Sequence, residues 1–154
     1  MSNKNYIISQ GHCRHLGATI EKDGVNFAVW APDAAEIDLL LFDAVDDDSP
    51  YVVHLSSTVF KSTYFWHVFV HNIGAGQIYA YRVTKTVDSP QAQSQAEEIN
   101  KILIDPYGKR VLFPDDYKRF LPKDEKLAFK YAPKSAVINV DEYEFVQQTV
   151  YEAT

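Results

Sequence analysis

GVNFAVWAPDAAEIDLLLFD, residues 24–43, decides the fold class. Val25, Phe27 and Val29 alternate with Asn26 and Ala28, and beyond the loop Ala31–Ala35 the residues Ile37, Leu39 and Leu41 alternate with Asp38, Leu40 and Phe42. A period of two puts one set of side chains on one face of a pleated strand, whereas a helix repeats its apolar positions every three to four residues. Two such runs joined by a short loop carrying Pro32 read as consecutive strands, with Phe27, Val29, Leu39 and Leu41 turned inward.

The pattern continues on the C-terminal side. YVVHLSST (51–58), STYFWHVFVH (62–71) and QIYAYRVTKTV (77–87) are further strand-like runs, with Val68 and Tyr79 at inward positions. The acidic DAVDDDSP and the glycine-bearing NIGAG supply turns between them. Aromatic residues make up 14% of the chain, with 10 Tyr and 9 Phe, a composition suited to half-buried pleated surfaces. The expectation is an all-β, immunoglobulin-like antiparallel β-sandwich over residues 15–88, followed by an irregular connector.

Outside this module the character changes. Residues 1–14 read as a polar leader, loosely held. From Asp88, the run DSPQAQSQAEEINK is polar and shows no apolar face, apart from one helical turn expected near Ala96–Asn100. Pro106, Pro114 and Pro122 then exclude a long helix, so 89–140 is expected to be loop and connector packed on the module. With 154 residues and a 46% apolar fraction, the chain is long enough to bury a sizeable core.

Charge and composition narrow the function classes. The formal net charge is −6 and the Lys and Arg residues are scattered along the sequence, so neither nucleic acid nor an anionic membrane surface is an expected partner. The absence of a long apolar run points to a cytoplasmic protein without a membrane span. The single cysteine, Cys13, needs no oxidising compartment.

His12, Cys13 and His15 lie close together, but a structural zinc site needs four ligands, and ordinary loop residues are the better reading; no metal and no cofactor are expected. The Asp46–Asp48 run lacks the glycine and distal Glu of a calcium loop and reads as a solvated hairpin turn. No nucleophile–base grouping and no carboxylate pair of the glycosidase kind stands in a recognisable frame, so no catalytic residue is assigned and the chain by itself is not expected to be an enzyme. Trp66, Trp30 and Tyr81 are the candidates for carbohydrate binding, because an aromatic face stacks on the C–H face of a sugar; the competing reading for each is a place in the core or at a domain interface.

Several segments resemble the amino-terminal region of glycogen-debranching enzymes and isoamylases of glycoside hydrolase family 13, which carries a module of carbohydrate-binding module family 48. The matching residues are Leu16, Gly17, Ala18 and Thr19; Gly24 to Ala28; Leu41, Phe42 and Asp43; Trp66 and His67; Gly76 to Val83; and Asn100 with Asp105, Pro106 and Tyr107. Pro133, Lys134 and Ser135 match the segment that leaves the module. Val150, Tyr151, Glu152 and Ala153 match the first strand of the catalytic barrel, so 141–154 is expected to be a linker and a truncated barrel strand. Three departures stand out: Asn139 replaces an Asp, SPQAQSQAEEIN replaces a loop richer in glycine and histidine, and Ala80 stands where glucan-gripping relatives carry Lys.

The resemblance implies a non-catalytic module that packs on a debranching-enzyme barrel and helps shape an α-glucan groove. A stand-alone module binding glycogen or maltooligosaccharide, and an immunoglobulin-like interaction domain without a sugar ligand, are the alternatives. The docking face, expected around Leu103, Tyr107, Val111 and Phe113, is exposed when the barrel is absent, and self-association through it is expected.

Overall fold

The computed structural model describes residues 4–87, 97–117 and 122–139, with side chains at 85–87 and 97–100 left undescribed. The expected barrel strand at 150–153 and the polar loop at 88–96 lie outside the described residues. Two antiparallel sheets face each other. The first contains β1 (Ile8–Ser9), β2 (Gly17–Glu21), β3 (Gly24–Trp30), β6 (Lys61–Ser62) and β7 (Phe65–His71). Its order runs β2-β3-β7, and β1 and β6 both pair with β7. The second contains β4 (Glu36–Phe42), β5 (Tyr51–Leu55), β8 (Ile78–Val87), β9 (Glu97–Leu103), β10 (Val111–Leu112) and β11 (Lys134–Ala136). Its order runs β5-β4-β8-β11-β10, with β9 also on β8.

Register explains the core. Val25, Phe27 and Val29 of β3 lie opposite Val70, Val68 and Trp66 of β7. Ile37, Leu39 and Leu41 of β4 lie opposite Val83, Tyr81 and Tyr79 of β8. These residues are all buried and form one cluster between the sheets. Each fully buried side chain of this kind contributes about 1.5–3 kcal/mol of transfer free energy. All six residues read as inward from the two-residue period are in that cluster: Phe27, Val29, Leu39, Leu41, Val68 and Tyr79. The architecture is that of an immunoglobulin-like β-sandwich.

The outward positions depart from simple alternation. Asn26 and Ala28 are fully buried too, because the leader covers the outer face of β3. Asn26 Oδ1 accepts from His12 N at 2.9 Å and Asn26 Nδ2 donates to His12 O at 2.9 Å, a side-chain copy of a backbone β-bridge. His67 Nδ1 lies 2.7 Å from Gln10 O, which can only accept, so that nitrogen carries the proton and Nε2 accepts from Ser62 Oγ at 2.8 Å. The described part of the leader is therefore held by specific bonds rather than loosely.

On the second sheet, Leu40, Phe42 and Ala80 are buried beneath Phe129 of a short helix, α1 (Glu125–Tyr131). Asp124 caps that helix by accepting from Leu127 N. The connector is thus less irregular than its prolines suggest. Residues 97–100, expected to include a helical turn, instead lie in β9 and pair with Val87 to Thr84 of β8. A long neighbouring strand with free backbone groups recruits even a polar segment, since ladder bonds do not depend on side-chain type.

Candidate functional site

β3 ends at Trp30, and the chain then crosses from the first sheet to the second. Ala31 N donates to Tyr64 O at 3.0 Å on one side, and Ala35 N donates to Thr84 O at 2.8 Å on the other. The crossing loop is therefore clamped to both sheets, and Pro32 stiffens it further. Between this loop and Leu103–Pro106 lies an apolar cleft of about 160 Å3. Trp30 lines it, together with Ile37, Tyr81, Val83 and Leu103. Trp30 is 49% exposed and Leu103 42% exposed, whereas Tyr81 is buried. A cavity of about 150 Å3 is enough for one benzene ring, so this cleft takes one ring or one apolar side chain and not a run of sugars.

Tyr81 adds a polar feature to the cleft wall. Its hydroxyl is buried and has no hydrogen-bond partner among the described residues. Burial foremost, then the nearby Asp105 and Tyr79, push its pKa well above the usual tyrosine value, so it remains a neutral donor. A buried hydroxyl left unsatisfied costs about 1–3 kcal/mol.

Of the three aromatic candidates, the structure brings Trp30 and Tyr81 to one cleft and leaves Trp66 elsewhere. Trp66 is 1% exposed, opposite Val29 in the core, with the Lys61 ammonium 4.9 Å from its ring centre. Neither Trp66 nor Tyr81 presents a ring face to a sugar, because both occupy inward positions of the strand repeat. Trp30, at a strand end where the repeat stops, does present one. Of the residues expected at a docking face, Leu103, Tyr107 and Phe113 are exposed, and Phe113 packs edge-on against Tyr117 at 5.1 Å. Val111 is half-buried and pairs with Ser135.

The wall of the cleft is set by a turn whose roles sequence reasoning did not anticipate. Asp105 is buried; its carboxylate accepts from Tyr79 Oη at 2.7 Å and from Tyr107 N at 2.9 Å. Its own N–H donates to Ser135 Oγ at 3.0 Å. Burial pushes the Asp105 carboxyl up, while the bonds from Tyr79 and Tyr107 pull it partly back. The Asp-Pro-Tyr sequence was legible as a motif; its buried partner on β8 was not.

The position where glucan-gripping relatives carry Lys is closed. Ala80 is fully buried in the cluster with Phe129. Arg82 holds α1 down from the same face, bonding Asp38 at 2.9 Å and pairing with Glu125. At the other end of the helix, the buried Lys134 donates to Phe129 O at 2.5 Å and to Ala132 O at 2.9 Å, with its ammonium 4.7 Å from the Phe42 ring centre. Burial pushes the Lys134 ammonium down to about 8, against a weaker upward pull from Asp47 and Asp46.

Among the described residues, no group of three or more His, Cys, Asp or Glu converges as a metal site. His12 instead pairs with Glu21. No described helix is long and apolar enough to cross a membrane.

Comparison with known proteins bears on the same region. Residues 15–108 match the family described as carbohydrate-binding module 48, the isoamylase N-terminal domain. The chain is 34% identical over 106 residues to the chloroplastic isoamylase SU1 of Zea mays, covering 66% of this chain and 13% of that one. It is 29% identical over 140 residues to a glycogen debranching enzyme of Klebsiella pneumoniae, covering 86% of this chain and 20% of the other. A pullulanase from Paenibacillus barengoltzii, solved with maltotriose, shares the fold over 84% of this chain and 15% of its own, with a TM-score of 0.54 and 21% identity. The chain thus spans between 13% and 20% of the length of these curated relatives, a stretch corresponding to a non-catalytic module.

Proposed function

This chain belongs to the carbohydrate-binding module 48 (isoamylase N-terminal domain) family, and from that premise we propose that it serves a glycogen-debranching, isoamylase-type glycoside hydrolase of family 13 as a docking module. It packs on the catalytic barrel, helps shape an α-glucan groove, and performs no bond cleavage itself. The observation that carries this reading is the apolar cleft beside Trp30: a half-exposed indole and a one-ring cavity. Such a site suits one apolar side chain of a packed neighbour. Central aromatic anchors of this kind carry most of the energy of protein interfaces. The burial of Ala80 beneath α1 supports docking over a self-sufficient glucan grip on the outer face of the second sheet. A cytoplasmic setting fits the single cysteine, which needs no oxidising compartment.

The test is a pair of titrations with the purified chain. One uses a debranching-enzyme barrel stripped of its own module, the other maltoheptaose and glycogen. The expected result is a complex with the barrel that Trp30→Ala weakens about thirtyfold or more, the loss for an interface anchor of about 2 kcal/mol. Saturable glycogen binding with no barrel complex would favour the stand-alone glucan-binding reading instead. Light scattering of the chain alone reports whether it self-associates, as expected for an exposed face around Leu103, Tyr107, Val111 and Phe113.

A further inference from the structure

The chain carries a formal net charge of −6, yet one cleft on it is lined, among the described residues, by Arg14, His15 and Lys109 and by no carboxylate. Arg14 and His15 enter this cleft from the segment preceding β2, and Lys109 enters it just beyond the Asp105 turn. Gly17 lets the two segments close: its φ is +95°, and a Cβ there would meet the Tyr107 carbonyl oxygen at 3.0 Å. The cleft measures about 540 Å3 and is also lined by Tyr107 and Thr19. That volume lies within the range of about 300–1,000 Å3 typical of small-ligand sites. Among the described residues, neither Arg14 nor His15 pairs with a carboxylate.

The lining selects a chemistry. Hydroxyls of a neutral sugar both donate and accept, and in this cleft Thr19 and Tyr107 can do the same, whereas the charged groups add only donors. Guanidinium and ammonium groups only donate. A phosphate monoester only accepts from them, takes the two-pronged guanidinium fork, and gains charge-assisted bonds about twice as strong as neutral ones. Tyr107, 37% exposed, adds a flat apolar surface against which a pyranose ring can lie. We propose that this cleft binds the phosphate monoester of a sugar, with Arg14 and Lys109 on the phosphate and Tyr107 against the ring. The site is separate from the Trp30 cleft, so the proposal does not depend on barrel docking.

The test is isothermal titration calorimetry of the full chain at low salt with glucose 6-phosphate, and with glucose, inorganic phosphate and maltotriose in parallel. Glucose 6-phosphate should bind more tightly than each of the other three. Arg14→Gln and Lys109→Gln should each weaken it by about tenfold or more, the loss of one charge-assisted bond, while Lys126→Gln on α1 should leave it unchanged. Arg14 and Lys109 are exposed, so unchanged thermal midpoints will show that the variants are folded. The proposal is overturned if glucose 6-phosphate gives no heat, if glucose, inorganic phosphate or maltotriose binds as tightly, or if the Arg14 and Lys109 variants bind like the parent.

Discussion

Truncating Asp105 should destabilise the sandwich through orphaned donors, and the effect can be worked from the contacts. The carboxylate accepts from Tyr79 Oη at 2.7 Å and from Tyr107 N at 2.9 Å. Tyr79 is 1% exposed, so in Asp105→Ala its O–H loses its acceptor where water does not replace it, while Ser135 still bonds the phenolic oxygen. That orphan costs about 1–3 kcal/mol. Tyr107 is partly exposed, and its amide regains a bond to water, adding little. Against this, removal of a carboxyl whose pKa burial has raised relieves a desolvation penalty. The net expectation near neutral pH is a loss of about 2 kcal/mol for Asp105→Ala and about 1 kcal/mol for Tyr79→Phe. The double variant should lose clearly less than the two together, with a coupling of about 1 kcal/mol, because both changes break the same bond. The folded pKa of Asp105 lies above its ordinary 3.8, so its contribution is full below that value and is lost as pH rises through the folded pKa. The deficit of Asp105→Ala should therefore be larger in acid than at pH 8. Urea denaturation followed by tryptophan fluorescence, to which the buried Trp66 and the half-exposed Trp30 both contribute, measures all of this as a shift in midpoint at constant slope. A loss below about 0.5 kcal/mol for Asp105→Ala, or strict additivity with Tyr79→Phe, would refute the reasoning.

Other outcomes follow from the same structure. Lys134 has a folded pKa of about 8 against 10.5 in the unfolded chain, so its stabilising contribution is full above 10.5 and is lost as pH falls through 8; the parent should gain on Lys134→Met by up to about 3 kcal/mol between those values, read by chemical denaturation at each pH. Phe129→Ala should cost about 3 kcal/mol and expose the Leu40, Phe42 and Ala80 face, detectable as new binding of a hydrophobic dye. Asn26→Ala removes both bonds to the His12 backbone and should cost about 2 kcal/mol, with faster hydrogen exchange at residues 8–14. The purified chain should release no reducing ends from pullulan or glycogen, and activity abolished by a single Asp or Glu substitution would contradict the non-catalytic assignment.

The sequence by itself determined the sandwich and the side chains that fill it. A two-residue period is a local property, and Phe27, Val29, Leu39 and Leu41 declare their face whatever else the chain does. It also carried the family, since Leu16–Thr19, Gly24–Ala28 and Asp105–Tyr107 stand in order at the expected gaps. It did not reveal which outward positions would be covered. Asn26 and Ala28 are buried by the leader, and Leu40 and Ala80 by α1, and both coverings come from segments distant in sequence. The helix signal was present in Asp124 followed by Glu125, Lys126 and Leu127, yet the surrounding prolines outweighed it. Nor could spacing separate Trp30 from Trp66: both lie in strand runs, and only the end of β3 at the crossing loop leaves one exposed and the other enclosed. The tertiary structure alone decided where charge gathers. Arg14, His15 and Lys109 look scattered along an acidic chain, and they share a cleft because a glycine at 17 lets β2 approach the Asp105 turn closely enough to bring them together.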